Sequence, residues 1–466
     1  GLVHIMADGT IGKGVAADWN ISDDGLTYTF KLRNNSHWAM FSGHKAVLGE
    51  NYEDTFDITV KAEDFKFGIE RTLSEQTGSA DAPLFSAVKS ISTPDDFTIV
   101  FNLSYADDNF LYALTNPGAM PCDEEFFNLT NGKYGLDAKY LLCNGPFHVS
   151  KWTEKTSVKL AKNNEYNGES SVSPSSVTFY INNDDSEVAD KMNSVTYDVA
   201  FLSSSQFSSI ENKKDLNSVA VQNVTYSFIF NQNDNNYRNK NMRLAFCRSC
   251  DTSSLFDSQS DISKADGIVP PSCKIGGEDY RNGNAAELLS YDETLAKKNF
   301  NDALLELGSS SVETTILCTE QYEPFVKQMV QKLQKTLGVK FVSTVKVVSE
   351  SDLEAAVNDG NYSVAFYPFK AKSSFAGEII EGFDQNNIFG YESDVLSQKI
   401  RNIKNNSGSL EGERSAVADA ENYLVSEAVI MPVFYENSYF VTSKKTSGIY
   451  FYSSADNVCF INAKKS

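Results

Sequence analysis

The stretch Ser22-Asp23-Asp24-Gly25-Leu26-Thr27-Tyr28-Thr29-Phe30-Lys31-Leu32-Arg33 begins as a turn and continues as an alternating pattern. Asx side chains hydrogen-bond the backbone two residues on, and glycine enters the left-handed region without a Cβ clash, so 22–25 reads as a tight turn. From Leu26 onward apolar and polar residues alternate, which is the period of a half-buried strand. Asp96-Phe97-Thr98-Ile99-Val100-Phe101-Asn102-Leu103 repeats the pattern. Between them, the segment from Lys61 to Thr72 places Glu63 and Asp64 in a first turn and Arg71 near its end, the signs that a helix dipole favours.

Further along, Val158-Lys159-Leu160, Val177-Thr178-Phe179-Tyr180-Ile181 and Thr225-Tyr226-Ser227-Phe228-Ile229-Phe230-Asn231 read as strands. Val326, Met329, Val330, Leu333 and Leu337 recur at helical spacing, with Gly338 as the stop and Val339-Lys340-Phe341 as a new strand. Helices alternate with strands, so the class is α/β with mixed sheets. Asn231 to Asn241 and Asn405 to Gly412 are the most loop-like stretches.

The chain has 466 residues, enough for two large lobes or about three domains. Its 41 Lys and Arg against 62 Asp and Glu give a net charge of −21, which repels phosphate backbones and excludes general nucleic-acid binding. With 31 Phe, 22 Tyr and 3 Trp it has the apolar surface for sizeable cores. No run reaches the length of a membrane helix.

Catalytic chemistry finds no local signature. His4, His37, His44 and His148 are the only histidines, and none stands at metal-ligand spacing. A nucleophile elbow, a phosphate loop and a dinucleotide fingerprint are all missing. Cys247-x-x-Cys250 has no second pair to complete a zinc site. Cys122 and Cys143 bracket one segment and are the candidates for a bridge if the protein is exported.

Several segments in order resemble the family 5 extracellular solute-binding proteins, the peptide and nickel receptors of ABC importers. Gly14-Val15-Ala16-Ala17-Asp18-Trp19 with the turn and strand quoted above resembles one family stretch, and Val60-Lys61-Ala62-Glu63-Asp64-Phe65 resembles a second. Asn144-Gly145-Pro146-Phe147 with Trp152 and Tyr166, then Arg243-Leu244-Ala245-Phe246 with Asp251, are similar to the third and fourth. Gly267-Ile268-Val269-Pro270-Pro271, Tyr291-Asp292 with Ala296-Lys297, and Met431-Pro432-Val433-Phe434-Tyr435 complete the series. The resemblance places Cys247 and Cys250 in a structural helix. Against the family pattern the chain starts late, at Gly1-Leu2-Val3, so a lipobox and a first piece of domain I are expected to be absent.

The resemblance implies a periplasmic-binding-protein-like two-lobe fold (type II, cluster C) with an extra small domain. Residues 1–143 would form that small domain, 144–240 with 431–466 the core lobe, and 241–430 the second lobe. It implies a receptor that captures peptides for an ABC importer, with permease and ATPase subunits as partners, no cofactor and no enzymatic activity. A monomer, lipid-anchored on the outer face of a Gram-positive-type membrane, is the expected form. The runners-up are an oligosaccharide- or nickel-binding member, or a surface adhesin or peptide-signal receptor.

In peptide-binding members a strand of the second lobe pairs with the ligand backbone, and its Asp holds the peptide's amino group. Tyr362 to Ser373 occupies that place here, with Phe369 for the family's Trp, Ala371 matching and Lys372 where the Asp would stand. The expected ligand contacts are therefore Phe366, Tyr367, Phe369, Ala371, Lys372 and Ser373, joined by Tyr435 and by Phe110 from the small domain. A cation at 372 implies that free N-termini are not held at that point.

Overall fold

The structure is a computed structural model, described here except at residues 7–9, 108, 169–170, 182–184, 253–261, 371–374, 385–386, 407–408 and 453–456. The chain divides into two compact units. Unit 1 comprises Gly1–Ser218, Phe440–Tyr452 and Asp456–Ser466, and unit 2 comprises Val219–Tyr439 with Ser453–Ala455.

In unit 1, strands β1 (Ala16–Ile21), β2 (Thr27–Leu32), β3 (Val88–Asp95) and β4 (Thr98–Leu103) form an antiparallel sheet in the order β1-β2-β4-β3. The alternation at 26–33 sends Tyr28, Phe30 and Leu32 inward, and Gly25 makes the turn at φ +67. Helix α1 (Ala62–Leu73) packs Phe65 and Ile69 into the same core. Its Gly68 is required by packing, because a Cβ there would meet the Met120 carbonyl oxygen at 2.4 Å. The helix starts where Asp64 accepts a hydrogen bond from the Lys61 amide at 2.7 Å, which satisfies one of its orphan donors. A second antiparallel sheet joins β5 (Phe147–Thr153), β6 (Ser157–Lys162) and β7 (Ser176–Tyr180).

Strand β8 (Val199–Ser203) belongs to unit 1. Strands β9 (Leu216–Phe230) and β14 (Ile430–Ser443) each cross from one unit to the other. In unit 2 they join β10 (Ile262–Lys264), β11 (Val312–Cys318), β12 (Phe341–Val347) and β13 (Val364–Lys370). The order is β14-β9-β13-β11-β12, with β10 on β14. β13 runs antiparallel to β9 and parallel to β11, and β11 runs parallel to β12. Helices α2 (Lys240–Ser249), α3 (Glu293–Leu307) and α4 (Glu323–Leu337) share a core with one sheet face. Helices α5 (Glu350–Asn358), α6 (Asp394–Asn405) and α7 (Leu410–Ser426) share a core with the other.

Two sequence expectations shift. Asn231 to Asn241 holds a short helix, Asn235–Arg238, and the start of α2, with the Asp234 and Asn239 side chains as caps. The strand expected at Val339 begins at Phe341, because Gly338 at φ +79 turns the chain after α4.

The seven cysteines are all free thiols, so the bridge expected between Cys122 and Cys143 is not formed. Cys122 is instead buried beside Arg71, whose Nη1 lies 3.7 Å from its sulfur. Cys247 lies in α2 and Cys250 caps it, and burial pushes the Cys247 thiol up to about 12, far from a reactive thiolate. Arg243 of the same helix is structural, donating to the carbonyls of Tyr237, Ala428 and Glu427 at 2.7, 3.0 and 3.1 Å. Among the described residues no helix is long and apolar enough to cross a membrane.

Candidate functional site

Open α/β sheets bind ligands in the crevice outside the carboxyl ends of their parallel strands. In unit 2 those ends belong to β11, β12 and β13. β9 covers one edge of β13 from Val364 to Lys370, with Val224 opposite Lys370 and Phe230 opposite Val364. β11 covers the other edge only at Val364 and Ala365, which face Ile316 and Leu317. Among the described residues, the β11-side edge of β13 thus outruns its partner from Phe366 onward. A strand edge of this kind is a template for another extended chain.

Alternation along β13 divides its side chains between the two faces. Phe366 enters the first core, where its ring lies 5.4 Å from Tyr226, 5.7 Å from Tyr322 and 5.6 Å from Phe434. Tyr367 and Phe369 turn to the other face and stay half-buried. Phe369 stacks on Phe383 and Phe389 at 5.9 and 5.8 Å, and Tyr367 meets its edge at 5.5 Å. Behind them on β9, Ser227 and Thr225 stand directly opposite Tyr367 and Phe369.

On the first face a polar group gathers at the same end of the sheet. Glu436 of β14 follows Phe434 by two residues and so shares its face. Its carboxylate accepts from the Tyr322 hydroxyl at 2.5 Å and from Gln321 Nε2 at 3.3 Å. Burial pushes the Tyr322 and Tyr226 hydroxyls above their ordinary range, with the neighbouring Glu436 charge adding to it, so both remain protonated donors at neutral pH. Gln222 of β9 donates to Ser263 and Asn437, each at 2.9 Å.

Of the residues the sequence singled out, Phe366, Tyr367 and Phe369 thus meet at one sheet end. Ala371, Lys372 and Ser373 lie outside the described residues. Tyr435 is buried, its hydroxyl accepting from the Asp266 amide at 3.1 Å and facing the carbonyls of Gly267 and Val269 at 3.3 Å, so it works as a packing and tethering residue. Phe110 is a correction: it is fully buried in the unit 1 core, edge-on to Tyr28 at 4.9 Å and Phe101 at 5.3 Å. The aromatic types at 101 and 110 close one core, which leaves Phe110 no surface to offer a ligand. Glu436, Tyr322, Gln321 and Tyr226 escaped the sequence reading, because only the fold brings them together.

Beneath this end, a buried ion pair fixes the backbone leading out of β10. Glu421 of α7 accepts from the amides of Ile268 and Val269 at 2.7 and 2.9 Å and from Tyr280 at 3.1 Å, and it pairs with Arg281. That accounts for the Gly267-Ile268-Val269 part of the sequence motif: two successive amides are held by one carboxylate. At Gly267 a Cβ would meet the Glu421 carboxylate at 2.5 Å.

A polar, aromatic-lined sheet end with a half-covered strand edge is a candidate site for a small solute. The family model for bacterial extracellular solute-binding proteins, family 5, matches residues 10–389, and the chain belongs to that family. Among curated relatives, the dipeptide-binding protein DppE of Bacillus subtilis is 23% identical over 96% of this chain and 83% of its own length. The oligopeptide-binding protein AliB of Streptococcus pneumoniae is 26% identical over 65% of this chain, an alignment that spans about half (52%) of AliB.

The fold is that of solved family 5 proteins. Listeria monocytogenes OppA bound to peptide superposes with a TM-score of 0.78 at 20% identity, over 100% of this chain and 92% of that one. A dipeptide-binding protein from Pseudoalteromonas in complex with Met-Leu gives a TM-score of 0.78 at 17% identity, over 100% and 93%. The chain therefore has the periplasmic-binding-protein-like two-lobe α/β fold expected from its sequence.

Proposed function

We propose that this chain is a peptide receptor that delivers its ligand to an ABC importer. The observation that carries this reading is the β11-side edge of β13, which β11 covers only at Val364 and Ala365 while β9 covers the opposite edge throughout. An extended peptide backbone can add there as a strand, with its alternate side chains directed to the two faces. Tyr367 and Phe369 line one face and Tyr226 and Tyr322 the other. The relatives' names, dipeptide- and oligopeptide-binding proteins, support the same ligand class.

In this reading the chain holds peptides and hydrolyses none. It acts as a monomer on the outer face of the membrane, lipid-anchored in the Gram-positive manner, with permease and ATPase subunits as its partners. Residues 1–143 form the extra small domain, 144–240 with 431–466 the core lobe, and 241–430 the second lobe.

The test is mass spectrometry of small molecules released by denaturing the purified protein. Intact peptides are expected. Oligosaccharide or nickel in their place would overturn the peptide reading, and truncated products from an added peptide would overturn the non-enzymatic one.

A further inference from the structure

We propose that Cys247, Cys250 and Met431 form a binding site for a soft monovalent metal ion, copper(I). Unit 2 contains a cavity of about 350 Å³ whose lining these three sulfur-bearing residues share. Thiolate and thioether donors suit copper(I), whereas structural zinc takes four ligands, one more than these sulfurs supply. None of the described lining residues is a histidine, so the soft donors here are sulfur alone. The inference stands independently of the peptide reading.

The fold brings the sulfurs to one place. Cys247 lies in the last turn of α2 and Cys250 caps it, and residues three apart on a helix stand on one face. β14 starts at Ile430 and alternates, so Met431 and Val433 enter the core that α2 shares, while Ile430 enters the opposite one. Cys247, Cys250 and Met431 therefore belong to one packed group. All three are buried, but Tyr291, 45% exposed, and the exposed Lys264 line the same cavity, which gives an ion a path from the surface. Lys264 and Asp251 in that lining carry opposite charges, so they do not jointly repel a cation. Both thiols hold their protons at rest. Binding one copper(I) forms two copper–thiolate bonds and releases two protons to solvent, Met431 Sδ donates a lone pair, and no electron is transferred.

The test titrates the reduced full chain with copper(I), without oxygen, against a chromophoric copper(I) chelator. The wild type should hold one equivalent and develop the ultraviolet thiolate-to-copper charge-transfer band. Cys247→Ser and Cys250→Ser should each weaken binding by more than about a hundredfold and Met431→Leu by about tenfold, since losing a ligand costs at least as much as losing a supporting partner. The double variant Cys143→Ser with Cys459→Ser removes the two half-exposed thiols outside the cavity and should bind as the wild type does. X-ray absorption of the wild-type complex should show three sulfur neighbours at copper, which keeps the test decisive if a cysteine variant does not fold. Fewer sulfurs than three would overturn the site, as would undiminished binding in any of the three single variants. Loss of binding in the double variant would show an adventitious ion on exposed thiols and overturn it too. Displacement of the copper by an equimolar amount of zinc would overturn the assignment to a soft monovalent ion.

Discussion

In unit 1, the aromatic side chains that alternate along β2 and β4 end in a closed core: Phe30 and Phe101, with Phe110 of a short helix packed against Phe101, have no exposed surface. In unit 2, alternation along β13 buries Phe366 but leaves Tyr367 and Phe369 half-open, beside an edge that β11 does not cover. The residue types and the period are the same in both places. What differs is the neighbour. Each strand edge of β2 and β4 is paired along its length, with Phe30 opposite Trp19 and Ile99, and Phe101 opposite Tyr28 and Ile91. At β13 the parallel partner pairs only with Val364 and Ala365, so that on this side the strand's later residues have no strand partner among the described residues. An aromatic strand is a core where its sheet continues and a candidate site where it ends.

The largest effect should come from the support under the site. Glu421→Gln leaves Arg281 buried without its counter-charge and weakens the hold on two amides. Thermal and denaturant unfolding should show a loss of about 3–5 kcal/mol, as for other broken buried pairs. A change below about 1 kcal/mol would show that the pair does not organise the segment from Gly267 to Val269.

Next is the direct contrast between two phenylalanines. Phe110→Ala should cost about 3–5 kcal/mol of stability by opening a cavity in a sealed core. It should leave peptide affinity of the folded protein unchanged. Phe369→Ala should cost only about 1–2 kcal/mol, since its ring is part-exposed, and should weaken peptide binding. The reverse assignment of stability and affinity would break the comparison.

A smaller effect concerns two ionisable groups in unit 1 that act in opposite directions. Burial raises Asp64 to about 7, with Asp123 and Asp57 adding to the rise and the Lys61 amide and charge opposing it. The folded state then binds a proton that the unfolded chain has lost, so this group's contribution is complete below about pH 4 and fades as pH rises toward 7. Burial lowers His44 to about 4, with His148 assisting and the Leu141 carbonyl opposing. The unfolded chain then binds the extra proton, so stability falls as pH drops from about 6.5 to 4. The two offset one another in that window. Asp64→Asn retains a capping side chain and should leave the His44 contribution unopposed, with an acid-side loss on the order of 1 kcal/mol. Urea titrations at pH 4.5 and 7.5 measure it, and equal pH dependence in both proteins would show that Asp64 does not titrate as described.

Much of the frame can be read directly from the residues. The strands at 27–32 and 98–103 and the helix at 323–337 follow from period and capping, because each buries one face of a regular element. The Asn-rich segment at 231–241 misleads because side-chain amides and carboxylates suit loops and helix caps alike, and here Asp234 and Asn239 are caps. The site was legible only as far as β13 carries it. Glu436 sits at the end of an apolar run, and its hydrogen-bond donor Tyr322 reaches it from beyond the end of β11. Phe110 could not be assigned by type, since nothing local distinguishes a ring that seals a core from one that faces a ligand.

The central claim, that a peptide backbone adds to the open edge of β13, is tested most directly by hydrogen–deuterium exchange with and without a defined peptide mixture. Added strands protect the amides they pair with. The account predicts slowed exchange at Phe366 to Lys370, with Gln321 and Tyr322 also affected, and no change at Thr27 to Leu32 or Thr98 to Leu103. Protection confined to the unit 1 sheet, or unaltered exchange along β13 when peptide is shown to be bound, would contradict it.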